Sequence, residues 1–261
     1  MKISIVLPCY NEEHRVARVL KDIEDYLPRR PETFEILVVN DGSTDHTLRV
    51  VRSFSRLPIR ILNSRINRGK GFAVRRGILS ARGDWILFMD ADASSDIREL
   101  DRFMKCGRRY DVIVGSRSVR PGLVKHPEGP IRSALGWLGH GLIGLVITRE
   151  IKDLLCAFKL YRRSAARAIF NRQSANGMAA DFEVIYLALR LNLRVIELPL
   201  SWWHQEGGSS HISWYLTSLW ELALVRFNDL RGRYRIPAAR VGSSSRRSGL
   251  HRNSPSSGRN T

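Results

Sequence analysis

Residues 85–92 read WILFMDAD, five apolar residues running straight into Asp90-Ala91-Asp92. A run of that length, bounded by polar residues, predicts a buried strand. Three more such runs lie upstream: Ile59–Leu62, EILVVN at Glu35–Asn40 and ISIVLP at Ile3–Pro8. Helical spacing separates them. Val16, Val19, Leu20 and Ile23 follow the first strand, and Leu48, Val51 and Phe54 the second. After the third, a helix opens at Asn67-Arg68-Gly69-Lys70-Gly71 and runs to about Ala81. Asn11 before Glu12 and Glu13 suits the N-terminus of the first helix. Strand and helix in alternation predict an α/β chain with a mostly parallel central sheet, flanked by helices and joined by right-handed crossovers.

The second half is less regular. Asp111–Gly115 predicts a strand ending in Ser116-Arg117, and Ile151–Tyr161 a strand or turn returning to the sheet. A helix follows from Ser164, then an amphipathic helix over Asp181–Arg190, a strand over Val195–Pro199 and a last helix over Trp214–Leu230 with Trp220, Leu224 and Phe227. Residues 237–261 are rich in Ser and Arg and are expected to stay disordered, which leaves 1–236 as one folded domain.

Hydrophobic residues make up 43% of the 261 and charged residues 26%, which excludes a disordered chain and a multi-span membrane protein. Lys plus Arg outnumber Asp plus Glu by 43 to 25, a net charge of +18. The tail holds five arginines and no acid, so most of the excess belongs to the body. Such a surplus suits nucleic acid, an acidic membrane surface or phosphorylated substrates. The sequence carries no recognisable nucleic-acid-binding motif, and no nucleic acid is expected. Cys9, Cys106 and Cys156 are widely spaced and read as reduced thiols. The N-terminus is acidic too soon for a signal peptide, and no stretch reaches the roughly 20 apolar residues of a spanning helix. Segment 134–148 (ALGWLGHGLIGLVIT), flanked by Arg132 and Arg149, comes nearest and is expected to lie in a membrane interface.

The polar clusters that follow the strands all fall at one edge of such a sheet, where ligands bind: Tyr10-Asn11-Glu12, Asp41-Gly42-Ser43 and Asp90-Ala91-Asp92. Asp90 and Asp92 would repel each other without a cation, and oxygen ligands suit Mg²⁺ or Mn²⁺ bridged to phosphate. Lys70 sits between two glycines at a helix start, where free N–H groups suit an anion. Neither the Walker spacing nor GxGxxG is present, which argues against a dinucleotide oxidoreductase. Asp41 suits a nucleobase or ribose, and Arg117 a phosphate. Asp181 and Glu183 stand at a helix start, where any protein favours acids.

Together SIVLPCYNEE, ILVVNDGSTDHT, NRGKGFAVRRG, ARGDWILFMDADAS, VGSRS, IKDLLCAFKLYRR, DFEVIYLA and ELPLSWWHQEGGSS resemble the family 2 glycosyltransferases of the GT-A fold. Within them the chain looks most like the dolichyl-phosphate (polyprenyl-phosphate) β-glucosyltransferases and the related dolichol-phosphate mannosyltransferases. The resemblance implies a nucleotide-sugar donor bound by Pro8, Tyr10, Asn11, Glu12, Val39, Asp41, Lys70, Asp90 and Ala91. It implies a Mg²⁺ or Mn²⁺ ion at Asp90 and Asp92. It implies an acceptor side made of Arg117, Glu183 and His211, with Asp92, Asp181 and Arg117 as catalytic residues. The fold would end in C-terminal interfacial helices. The reaction would move glucose from UDP-glucose, or mannose from GDP-mannose, to a polyprenyl or dolichyl phosphate, with inversion. The place would be the cytoplasmic face of an anionic membrane. A GT-A enzyme acting on a soluble glycan shares every donor residue and remains the alternative. Two positions depart from the pattern: Ser94 replaces a glutamine, and His211 a lysine.

Overall fold

The computed structural model describes residues 1–119, 124–125, 147–148, 150–203 and 212–234, with side chains left undescribed at 124–125 and 212–219. The strands are β1 (Lys2–Cys9), β2 (Thr33–Asp41), β3 (Ile59–Ser64), β4 (Trp85–Phe88), β5 (Val112–Ser116), β6 (Val124–Lys125), β7 (Lys159–Arg162), β8 (Val195–Pro199) and β9 (Trp202–Trp203). The helices are α1 (Val16–Tyr26), α2 (Thr47–Ser53), α3 (Lys70–Ser80), α4 (Leu100–Cys106), α5 (Arg163–Phe170), α6 (Ala180–Arg190) and α7 (Ile212–Leu230). Seven strands form one sheet in the order β3-β2-β1-β4-β7-β5-β8, and β6 pairs with β9 separately. All neighbours in the large sheet are parallel except β7, which runs antiparallel to both β4 and β5.

Alternation along the strands divides the core into two layers. Ile3, Ile5, Leu7 and Cys9 face α1 and α4, packing with Val16, Leu20, Leu100 and Phe103. Val6, Leu37, Val39, Ile86 and Phe88 face the other way, onto Ile78 of α3, Ile169 of α5 and Phe182 of α6. Helix α3 lies so close to the sheet that a Cβ on Gly77 would sit 2.4 Å from Val6 Cγ1. Cys9, Cys106 and Cys156 are free thiols.

Two expectations change. Asn11 does not cap the first helix: α1 begins at Val16, and Asn11 takes a left-handed φ of 54° inside the preceding turn. Helix α6 is not amphipathic, because every residue from Ala180 to Ala188 is buried. On α7 the buried side is Leu222 and Val225, whereas Trp220 (68% exposed), Leu224 (38%), Phe227 (44%) and Leu230 (82%) face outward. Segment 134–146 and the tail 237–261 lie outside the described residues. No helix among the described residues is long and apolar enough to cross a membrane.

At the end of the sheet away from the DAD sequence, Glu35 ties β1, β2 and the turn before β4 together. Ser4 Oγ donates to Glu35 Oε1 at 2.6 Å, the Arg82 amide donates to the same oxygen at 2.5 Å, and the Gly83 amide donates to Ser4 Oγ at 2.7 Å. Burial alone would raise the Glu35 carboxyl; these donors, with Lys2 and Arg60, outweigh it and hold the pKa below its ordinary value. A depressed folded pKa stabilises the fold above the unfolded value of 4.5, and that stabilisation is lost as pH falls through the folded value. Glu35→Gln is therefore expected to cost about 1–3 kcal/mol near neutral pH. In urea denaturation at a series of pH values, the gap to wild type should narrow below pH 4.5.

Candidate active site

The sheet reverses direction between its first and fourth strands. The chain leaves β1 toward β2 and β3 on one side, then returns to lay β4 on the other side of β1. A crevice opens beyond the carboxyl ends of two strands that diverge in this way, and α/β sheets bind ligands there. Tyr10 and Glu12 follow β1, Asp90 and Asp92 follow β4, and Asp41 ends β2 beside them.

The turn after β1 and the turn after β2 are knitted to each other. The Asn11 amide donates to Ser43 Oγ at 3.0 Å, and the Thr44 amide donates to Asn11 Oδ1 at 2.9 Å. The Glu12 amide donates to Thr47 Oγ1 at 2.8 Å, and Glu13 and Asp45 each accept an amide from the other's turn. The Glu12 carboxylate is held bidentately by Arg15 at 2.7 and 2.9 Å. Burial raises its pKa against Arg15, with the charges of Asp92 and Asp90 adding to the rise. Tyr10 stands at the rim, 47% exposed.

Lys70 is the cation of the cleft. Its Nζ lies 3.0 and 3.2 Å from the two oxygens of Asp90 and 3.4 Å from Asp181 Oδ2. Lys159, fully buried on β7, donates to Asp181 Oδ1 at 2.8 Å. The result is a ladder of alternating charge: Lys159, Asp181, Lys70, Asp90. Burial would raise Asp181, but Lys159 and Lys70 overcome it and hold the carboxyl below its ordinary range. For Asp90 burial wins and the pKa is raised, Lys70 opposing while Asp92 and Asp181 add to the rise. Burial would lower Lys70, but Asp181 and Asp90 raise its pKa, so it stays charged.

Asp92 accepts the Ser94 amide at 2.9 Å, and Ala93 between them takes a left-handed φ of 59°. An alanine adopts that conformation at a cost of about 1–2 kcal/mol, so the surrounding structure must hold it. The Trp203 amide does so from outside by donating to Ser94 O at 2.9 Å, next to a bridge between Ser95 and Trp202. Arg117, at the end of β5, is clamped bidentately by buried Asp153 at 2.7 and 2.9 Å and lies 5.4 Å from the Trp202 ring.

Four residue-level expectations meet other contacts in the structure. The glycine amides of the Gly-Lys-Gly turn are not free for an anion. The amides of Arg68 and Gly69 donate to Asp41 Oδ2 at 3.0 and 2.8 Å, and those of Gly71 and Phe72 donate to Asn176 O at 2.7 and 3.3 Å. The glycines serve that contact, since a Cβ on Gly69 would lie 2.5 Å from Asn176 O and one on Gly71 2.5 Å from Ala175 O. The Val39 side chain is fully buried in the sheet core beside Gly77, away from the edge. The Ala91 side chain packs into the opposite core layer. Glu183 is also fully buried, and its oxygens accept from the Ser174 amide and hydroxyl, the Ala175 amide and the Tyr234 hydroxyl. Those contacts fix the loop before α6. His211 lies outside the described residues. Lys159, Asp153 and Asn176 had not been singled out; a lysine in the middle of the apolar run CAFKLY was the available signal for the first.

The residues fit a divalent ion together with a diphosphate. Asp90 and Asp92 supply hard oxygen ligands, and no cluster of three His, Cys, Asp or Glu forms a ready cage among the described residues. Asp41 Oδ1 and Asn40 Oδ1 are buried without a partner, which suits a nucleoside donor group at the end of β2. If Glu183 is structural, Glu183→Ala should destabilise the fold by about 3 kcal/mol or more, because four donors lose their acceptor. Thermal denaturation would read this, and an unchanged melting temperature with weaker acceptor binding would contradict it.

Residues 4–170 match Glycosyl transferase family 2. A dolichyl-phosphate beta-glucosyltransferase of Trichomonas vaginalis is 38% identical over 212 residues, covering 76% of this chain and 63% of that protein. The Dictyostelium discoideum dolichyl-phosphate beta-glucosyltransferase is 32% identical, over 90% of this chain and 76% of its own. Among solved structures, mannosyl-3-phosphoglycerate synthase from Rubrobacter xylanophilus superposes with a TM-score of 0.67 at 19% identity, over 93% of this chain and 78% of that one. Glucosyl-3-phosphoglycerate synthase from Mycobacterium tuberculosis, in complex with Mn²⁺, uridine diphosphate and glucosyl-3-phosphoglycerate, superposes with a TM-score of 0.62 at 17% identity, over 91% and 81%. The chain is a glycosyltransferase of the GT-A fold and belongs to glycosyl transferase family 2.

Proposed function

We propose that the chain moves a hexose from a nucleotide-sugar, UDP-glucose ahead of GDP-mannose, to a polyprenyl or dolichyl phosphate with inversion at the sugar carbon. The observation that carries this reading is Lys70 bound to Asp90, beside Asp92, at the sheet's reversal point. The names of the relatives support the acceptor. In this reading Tyr10, Glu12 and Asp41 meet the nucleoside, and Lys70 turns from Asp90 to the diphosphate. A Mg²⁺ or Mn²⁺ ion held by Asp90 and Asp92 would neutralise charge on the departing nucleoside diphosphate. Arg117, held rigid by Asp153 and Trp202, meets the acceptor phosphate. One phosphate oxygen forms the new bond to the sugar carbon as the bond to the diphosphate breaks on the opposite face, and no proton has to move.

A small phosphorylated acceptor is the second reading, favoured by the solved neighbours named for 3-phosphoglycerate. The outer face of α7 favours the lipid. Its described acids turn inward, Glu221 to the Ala179 amide and Asp229 to Tyr186 and Arg190, while Trp220, Leu224, Phe227 and Leu230 face out, with Arg226 exposed beside Tyr186. Such a face suits peripheral contact with an anionic bilayer.

Full-length protein incubated with labelled UDP-glucose or GDP-mannose and polyprenyl phosphate should transfer label to the lipid phase, and EDTA should stop it. Asp92→Ala should lower the rate at least about a hundredfold. No transfer from either donor would sink the lipid reading, and transfer to 3-phosphoglycerate alone would establish the second. Replacing both Trp220 and Phe227 by Ser is expected to reduce co-sedimentation with vesicles containing anionic lipid by about tenfold or more while leaving the melting temperature near wild type. Equal sedimentation would remove α7 from the membrane contact.

A further inference from the structure

Lys159 is completely buried and paired with the Asp181 carboxylate, an arrangement that a strand core does not need for stability. Replacing a buried ion pair with apolar groups of similar volume is often neutral or stabilising. Here the ammonium spends all three of its protons. It donates to Asp181 Oδ1 at 2.8 Å, to the Asp181 carbonyl at 3.2 Å and to the Leu154 carbonyl at 3.2 Å. Lys159 stands opposite Phe88, the last residue of β4, in the β4–β7 register, and both Lys159 and Lys70 lie over the Phe88 ring, at 6.0 and 5.5 Å. The antiparallel strand β7 thus brings a second lysine from the sheet to the same Phe88 ring and the same Asp181 carboxylate that Lys70 reaches from α3.

We propose that Lys159 is a positioning residue that sets how tightly Asp181 holds Lys70, and so releases Lys70 to the donor's diphosphate. Asp181 divides its charge between two ammonium groups, one on each oxygen: Lys159 at 2.8 Å and Lys70 at 3.4 Å. The nearer and wholly desolvated partner takes the larger share. Lys70 is left leaning toward Asp90 at the mouth of the crevice, where an incoming diphosphate can claim it. Without Lys159 the whole Asp181 charge would fall on Lys70 and draw it inward. The proposal rests on the donor reading above. It also makes Asp181 an anchor, both of whose oxygens are occupied, and not a base.

Binding of UDP in the presence of Mn²⁺ to the full-length chain, measured by titration calorimetry, tests this without any transfer reaction. Lys159→Met is expected to weaken UDP binding about tenfold or more. Adding Asp181→Asn to it removes the charge that retains Lys70, and the double variant should recover to within about threefold of wild type. A pair that serves only the fold predicts a lower melting temperature for Lys159→Met with UDP affinity unchanged, and that result overturns the proposal. So does a double variant that keeps the weakened binding. Where Lys159→Met does not fold, Lys159→Gln, which removes the charge but keeps a donor, carries the same expectation. A wild-type chain that binds no UDP, GDP or other nucleoside diphosphate would overturn the donor reading itself, and is told apart from the other outcomes because wild type alone reveals it.

Discussion

Like charges crowded at the reversal point of the sheet constrain everything around them. Asp92 acts through space on both Asp90 and Glu12, Asp181 acts on Asp90, and Glu12, Asp90 and Asp181 sit where burial penalises ionisation. Such a group stays charged only with compensation nearby. Lys159, Lys70 and Arg15 supply it, each from a different element: the antiparallel strand, the start of α3 and the turn before α1. The fold is therefore committed to bringing those three elements to one point. Inserting β7 antiparallel between β4 and β5 is what delivers the innermost lysine.

The same economy explains the loops. Asp41 does not stand free at the end of β2; one oxygen gathers the amides of Arg68 and Gly69 and so fixes the turn that carries Lys70. Asn176 caps the first turn of α3 from the far side, and Glu183, Glu221 and Tyr234 brace the loop to which Asn176 belongs. Lys70 is thus aimed by contacts reaching from β2 to the last described residues after α7. Those contacts also join the outer apolar face of α7 to the cleft through a short chain: Glu221 to the Ala179 amide, then Asp181 two residues on.

The strand and helix order was legible because burial on both sides of a parallel sheet leaves unbroken apolar runs, and Ile3–Pro8, Glu35–Asn40 and Trp85–Met89 are such runs. The edge where ligands bind followed from topology alone. What stayed hidden depends on pairing between distant segments. Nothing in Asn67–Gly71 reveals that a carbonyl more than a hundred residues later will consume its amides. Nothing in a strand's period of two says whether Val39 meets a ligand or, as it does, the bare face of Gly77. Glu183 sits at a helix start like Asp181, two residues away, yet a rotation of about 200° between such positions sends one to the cleft and the other to the interior. Trp220, Leu224 and Phe227 share a helical stripe, but spacing alone does not say whether that stripe meets the core or the outside.

The contacts of four carboxylates in the cleft bear on the chemistry. Glu12 is held by Arg15, Asp181 by two lysines, Asp90 by Lys70, and Asp92 by an amide. A sugar hydroxyl needs a base to take its proton as it attacks, and a base must keep an accessible lone pair and a pKa near the working pH. Asp181, the deepest candidate, has neither, since both oxygens are paired and its pKa is driven down. An acceptor that arrives already ionised asks for no such group. A phosphate monoester is one, and in the proposed function Arg117, fixed by Asp153 beside Trp202, would be its cation. The contacts of Asp181 thus agree with the proposed phosphate acceptor, which arrives ionised and needs no proton taken from it.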